Sequence, residues 1–123
     1  YPDSAYAADA RARMVYLRNL LAAYELRAAE FYMRRGAYVA AANRGRYVVE
    51  NFDTSPSVAD ALVIMAEAYT ELDQLDLRDS TVTVLEHNYP SHPRLAETGG
   101  FEYEKSERGR RSLTSVLTFG LVD

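Results

Sequence analysis

Apolar residues recur along the first third of the chain at alternating three- and four-residue spacing. Met14, Leu17, Leu21, Tyr24, Ala28 and Phe31 form one seam over about thirty residues, the period of an amphipathic helix. The seam predicts one long helix from Ser4, or two with a tight break near Leu21. Gly36 ends it, after Arg34 and Arg35 in a cationic last turn that suits the helix dipole. A second helix is expected at about 37–51, with Tyr38, Ala41, Gly45, Val48 and Phe52 on one side. Glycine in mid-helix costs roughly 1 kcal/mol relative to alanine, so Gly45 is expected to serve the close approach of another helix. Ser55-Pro56 reads as an N-cap followed by proline in the first turn, opening a helix through Leu62, Met65, Tyr69 and Leu72. A fourth helix, roughly 75–88, buries Val82 and Leu85 and stops at Tyr89-Pro90. From Ser91 onward Pro93, Gly99, Gly100 and the charged stretch 102–111 mark a loosely held tail that closes on Leu113, Val116, Leu117, Phe119 and Leu121.

Composition supports helices over strands. Eighteen of the 123 residues are alanine, and the prolines fall where turns are wanted. The absence of cysteine excludes disulfides, thiolate zinc sites and a cysteine nucleophile. A net charge of −4 disfavours nucleic acid. Charge is also uneven: residues 1–50 sum to +3, residues 51–93 to −7 and residues 94–123 to zero. No apolar run approaches the ~20 residues of a membrane span, and the first residues lack the pattern of a secretory signal.

An internal repeat decides how such helices are arranged. Pro56 and Pro90 lie 34 residues apart. Counting back from Pro90, Ala66, Tyr69, Leu75, Val82 and Leu85 fall at the spacing of a tetratricopeptide repeat. Ala29, Tyr32, Gly36, Tyr38, Ala41 and Val48 take the corresponding places in a first unit with a three-residue-longer exit. The expected fold is therefore an all-α, tetratricopeptide-like solenoid fragment. It divides into a helix at 1–21 continuing from a missing preceding repeat, repeats at 22–55 and 56–90, and a tail at 91–123. Each pair leaves one face that a neighbour must cover.

The stretches from Tyr1-Pro2-Asp3-Ser4 through Arg13 to Ala22, Glu25, Ala28 to Tyr32, and Arg35-Gly36-Ala37-Tyr38-Val39-Ala40-Ala41-Ala42-Asn43-Arg44 closely resemble the C-terminal half of the BamD (ComL/YfiO) family of outer membrane β-barrel assembly lipoproteins. The likeness continues through Glu67-Ala68-Tyr69 and Asn88-Tyr89-Pro90, and the ending 112–123 is similar to the tail of many γ-proteobacterial members. The resemblance implies a non-enzymatic scaffold at the periplasmic face of the outer membrane, binding the POTRA domains of BamA and other Bam lipoproteins such as BamC, without cofactors. The family's signal peptide, lipidated cysteine and N-terminal repeats are expected outside this sequence, so any lipid anchor lies there too.

Two surfaces are candidates for binding. Asn43, Arg44 and Arg46 lie beside Tyr47 on the second helix, opposite Tyr38, Ala41 and Val48. Read from residues alone this is a solvated face or local pairing with Glu50, whereas the resemblance implies docking on BamA, with Arg44 first choice for an ion pair. The second surface is the concave groove lined by the first helix of each repeat. Repeat position places Leu26, Glu30, Met33 and Arg34 in it, followed by Asp60, Val63, Glu67 and Glu71; this would serve a general adaptor that captures an extended peptide. The groove is otherwise empty, or covered in part by the tail or by a segment of BamC.

The remaining chemistry is sparse. His87 and His92 lack a helical metal-ligand spacing, Glu67 and Glu71 read as a solvated acidic face, and Gly99-Gly100 does not join a strand to a helix. No catalytic residue, cofactor site or metal site is expected. Tyr24, Phe31, Tyr32 and Tyr38 read as core between helices. In the tail, Arg108, Arg110 and Arg111 with the apolar residues beyond them admit contact with an anionic membrane surface, docking as a cap on the repeats, or disorder.

Overall fold

The computed structural model describes residues 4–96, 100, 101 and 103. Four helices of a helical repeat array follow one another: α1 (Ala5–Arg34), α2 (Tyr38–Asn51), α3 (Val58–Glu71) and α4 (Leu75–Asn88), with a single turn, α5 (Pro93–Ala96), after them. No strand occurs among the described residues. α1 packs on α2, α2 on α3 and α3 on α4, with a smaller contact between α1 and α3. That order is the expected solenoid.

Local chemistry sets the boundaries. Ser4 is extended and its Oγ accepts the Ala7 N–H at 3.1 Å, starting α1 with a side-chain cap. α1 then runs through Leu21 without a break, so the boundary expected there falls inside one helix. Gly36 has φ of +77°. The Gly36 N–H donates to the Met33 carbonyl and the Ala37 N–H to the Tyr32 carbonyl, the paired bonds of a Schellman stop. α3 ends the same way: the Asp73 N–H donates to Thr70 and the Gln74 N–H to Tyr69, with Asp73 itself at φ of +59°. The two repeats therefore turn on equivalent residues, although only the first uses glycine.

One start differs from expectation. Ser55 does not cap α3. Its Oγ accepts the Ser57 N–H at 3.0 Å within a turn, and the helix begins only at Val58. The turn absorbs Pro56, whose missing N–H would suit a first helical turn equally well.

The core also differs from the pattern in one large respect. α1 buries Ala22, Leu26 and Ala29, not the expected seam: Leu17 is 57% exposed and Tyr24 67%, and Met14, Leu21 and Phe31 are exposed with them. Tyr32 and Tyr38 do pack against the core, whereas Tyr24 and Phe31 do not. The helix rises about 1.5 Å per residue, so α1 is roughly 45 Å long against about 21 Å for α2, and its first half reaches past its neighbour. The small and large positions of the repeat behave as aligned. Ala29 and Ala61 are fully buried, as are Ala66, Val48 and Leu85, while Val82 is half-buried.

Gly45 is where two helices meet. A Cβ there would stand 2.7 Å from Met65 Cγ and 3.1 Å from the Ala61 carbonyl oxygen, both on α3. The mid-helix glycine is a contact point between α2 and α3, as its position predicts.

Candidate functional site

α2 turns two faces to different tasks. Ala41, Ala42, Gly45 and Val48 are buried against α1 and α3, which leaves Asn43, Arg44, Arg46 and Tyr47 outward. Asn43, Arg44 and Tyr47 join Tyr32 and Ala40 around a shallow hollow of about 390 Å³ where α2 crosses α1. Arg46 is not part of it: its Nη2 donates to the Tyr69 hydroxyl at 2.9 Å, tying α2 to α3. Three of the four expected partner-binding residues are thus brought together, and the fourth, exposed Arg46, reaches toward α3 instead. Tyr47 also stands edge-on to Phe52, ring centres 5.9 Å apart.

Arg44 is held from within the chain. Its Nη1 donates to Glu25 Oε2 on α1 at 2.8 Å, and Glu50, the local partner considered from sequence, is not the one used. The hydrogen bond and charge of Glu25 hold the guanidinium more firmly in its cationic form. Arg44 remains 47% exposed by side chain. A guanidinium carries five N–H donors, so one carboxylate contact orients the fork without exhausting it. Glu25 stands nineteen residues away, beyond the reach of local pattern reading.

The concave side is occupied, not empty. Leu26 is only 9% exposed and belongs to the core, and Met33 packs against it, so neither is free to line an open groove. Glu30 is half-buried and Arg34 exposed. On α3 the three carboxylates share a face, and the chain after α4 returns along it. His92 Nε2 lies 2.9 Å from Asp60 Oδ1, Arg94 Nη2 lies 3.2 Å from Glu67 Oε1, and the Tyr103 hydroxyl donates to Glu71 Oε1 at 2.9 Å. Leu95 enters the core, Phe101 packs on it, and the Arg94 guanidinium lies 5.6 Å from the Phe101 ring centre.

The expected solvated acidic face is therefore corrected: Glu71 is 7% exposed and Glu67 is covered. Burial raises the Glu67 carboxyl above its ordinary value, an effect that Arg94 partly opposes. Burial and the neighbouring Glu71 carboxylate push the Tyr103 phenol well above its usual value. After α4, His92, Arg94, Leu95, Phe101 and Tyr103 are thus placed against α3 or the core. Arg108, Arg110, Arg111 and the apolar ending lie outside the described residues.

Among the described residues no group of three or more potential metal ligands occurs, and no helix is long and apolar enough to cross a membrane. Stacked antiparallel helix pairs with small residues at their crossings define a tetratricopeptide-like scaffold, which presents side chains on fixed faces. The model of the YfiO outer membrane lipoprotein family matches residues 1–85, and the chain belongs to that family.

The chain is 44% identical over 95 residues to the outer membrane protein assembly factor BamD of Xylella fastidiosa, covering 77% of this chain and 32% of that protein. It is 44% identical over 95 residues to the protein of the same name from Neisseria gonorrhoeae, covering 77% and 36%, and 39% identical over 88 residues to that of Vibrio cholerae, covering 72% and 36%. The chain thus spans about a third of the length of these relatives. These relatives are named assembly factors, and the family to which the chain belongs is one of outer membrane lipoproteins.

Proposed function

We propose that this chain acts as a rigid scaffold in outer membrane β-barrel assembly and docks on the POTRA domains of BamA through the hollow of Tyr32, Asn43, Arg44 and Tyr47. The reading is supported by family membership and by one geometric observation: Arg44 is pre-ordered by Glu25 at the rim of a hollow that also gathers an amide and two phenols. A fork fixed before binding loses less freedom on meeting a carboxylate, and aromatic groups beside it suit a protein interface. The scaffold transforms no substrate; its part is to hold the POTRA domains in one orientation.

Calorimetric titration of the chain with isolated POTRA domains tests the reading. Arg44→Glu weakens binding at least tenfold, because an interfacial carboxylate then meets like charge. Arg44→Lys falls between, since a point charge cannot reproduce a planar fork. The exchange Glu25→Arg with Arg44→Glu restores the internal pair and leaves POTRA binding weak. Equal affinity for wild type and Arg44→Glu removes Arg44 from the interface, and recovery of binding by the exchange reduces its role to holding α1 against α2.

A further inference from the structure

The repeat alignment relates the two ends of the stack to its middle. Ala29 and Ala66, Tyr32 and Tyr69, and Val48 and Leu85 are each 37 residues apart, so residues of α3 and α4 have counterparts 37 positions earlier in α1 and α2. In the middle, Gly45 of α2 faces Ala61 and Met65 of α3, and Leu72 at the end of α3 borders a hollow with Tyr38 and Val39 at the start of α2. On α1 the counterparts of Ala61, Met65 and Leu72 are Tyr24, Ala28 and Arg35. On α4 the counterparts of Gly45, Tyr38 and Val39 are Val82, Leu75 and Asp76.

Both of these surfaces are apolar at the centre, and they carry opposite charge. Leu21, Tyr24 and Phe31 of α1 are exposed, with Arg27 and Arg35 beside them; the Arg35 guanidinium lies 5.0 Å from the Phe31 ring centre. Glu25, at the edge of this surface, is already paired with Arg44. On α4, Leu75 is 46% exposed and Val82 half-buried, and Asp76, Asp79 and Glu86 are exposed around them, Asp79 with Arg78 as its neighbour. The hollow at Leu72 joins the last turn of α3 to the first turn of α2. The same antiparallel order brings the acidic first turn of α4 to the arginine at the end of α1.

We propose that the chain self-associates head to tail, the α4 face of one copy packing on the α1 face of the next in the register of the internal repeat, with Asp76 of the first facing Arg35 of the second. A second copy supplies the matching helix spacing, apolar centre and charge, whereas pairing of two α1 faces would set arginines against arginines. Valine stands where the internal crossing has Gly45, and tyrosine where it has Ala61, so the two helices meet at a greater distance than α2 and α3 do. The contact is therefore weaker than those inside the chain, and forms at high protein concentration. It is heterologous and leaves one open face at each end, so copies add in a line. Leu21 is the counterpart of Val58, where α3 begins, so the front half of α1, Leu17 included, lies outside the contact.

Sedimentation equilibrium of the full chain tests the proposal. The average mass of wild type rises above the 13.9 kDa of one copy with increasing concentration, and the rise shrinks in high salt as the charge attraction is screened. Tyr24→Glu closes the α1 face and Leu75→Lys the α4 face, and each variant alone associates at least tenfold more weakly than wild type. Mixed in equal amounts, the two form a dimer and nothing larger, because each supplies the face that the other has lost. Circular dichroism confirms that the helices are intact. Should either variant fail to fold, Arg35→Glu and Asp76→Lys carry the test: each alone weakens association several-fold, and both in one chain restore it by reversing the pair. Wild type that keeps the mass of one copy at every concentration overturns the proposal. Undiminished association of Leu75→Lys alone overturns it in favour of pairing between α1 faces, and folded variants that do not dimerise when mixed overturn it as well.

Discussion

α3 and the first half of α1 are comparably rich in large apolar residues and end in opposite surroundings. α3 lies between α2 and α4 with the returning segment on a third side, and eleven of its fourteen residues are buried. α1 buries three residues in thirty, none of them before Ala22, and Tyr6, Met14, Val15, Tyr16, Leu17, Leu20 and Leu21 face solvent. A period of 3.6 identifies an apolar face but carries no information on which element covers it. In a solenoid the covering element belongs to the next repeat, so the place of a helix in the stack decides whether its large apolar residues are covered.

Substitutions that trade on this difference should separate by several kcal/mol. The largest effect belongs to α3. Leu62 is 2% exposed within the central cluster, and Leu62→Ala should destabilise the chain by about 2–5 kcal/mol in urea denaturation, the usual cost of a large-to-small change that leaves a cavity. A loss below about 1 kcal/mol would show that α3 is no better covered than α1. Next comes the α2–α3 crossing. Gly45→Leu places a branched side chain where even a Cβ stands 2.7 Å from Met65 Cγ, and about 1–3 kcal/mol of destabilisation is expected from overpacking. An unchanged melting temperature would mean that the helices separate there without penalty.

A smaller effect reports on the third side of α3. Glu67 faces Arg94, which favours its charged form, and lies near the Tyr103 phenol; burial outweighs Arg94 and raises its carboxyl above the ordinary range. A raised carboxyl binds its proton more tightly folded than unfolded, so its contribution to stability is present at low pH. That contribution is lost as pH rises from the ordinary carboxylate range through the raised folded value. Glu67→Gln lacks this loss. Thermal denaturation across pH 4 to 7 should therefore show the variant gaining on wild type as pH rises. The opposite slope would make the Arg94 pair the stronger influence.

The sequence held most of the architecture and part of the site, for reasons that can be traced residue by residue. Gly36, Gly45 and the aligned pairs Ala29 with Ala66 and Val48 with Leu85 carry local or repeat-level information, and each stands where its spacing places it. Asp73 takes the left-handed turn that glycine takes in the first repeat, a role that composition does not advertise. α3 had a signal that a single seam passes over: Val58, Leu62, Val63, Ile64 and Met65 leave no polar face among them, the mark of a helix covered on several sides. The pairings of Arg44 with Glu25, Arg46 with Tyr69 and Tyr103 with Glu71 join residues nineteen to thirty-two positions apart. Charge counting cannot choose among so many possible partners. Glu67 and Glu71 were therefore legible as one face but not as a covered one.

The smallest expected effect is the sharpest test of the comparison. Leu17 sits in the α1 seam at a position that a helix-period argument alone would assign to the core, yet its side chain is 57% exposed. Leu17→Ser in this chain should change stability by no more than about 0.5 kcal/mol, the range of surface substitutions that touch no cap, cavity or network. Serine is a somewhat poorer helix former than leucine, so the small change should be a loss. Leu26, nine residues on in the same helix and in the core, supplies the internal control: Leu26→Ser removes a buried side chain and leaves a hydroxyl in its place, and it should unfold the chain at much lower urea. Paired urea titrations followed by circular dichroism read both. Comparable losses at the two positions would mean that the front half of α1 is covered in solution, by a second copy if the loss at Leu17 grows with protein concentration and by the chain itself if it does not.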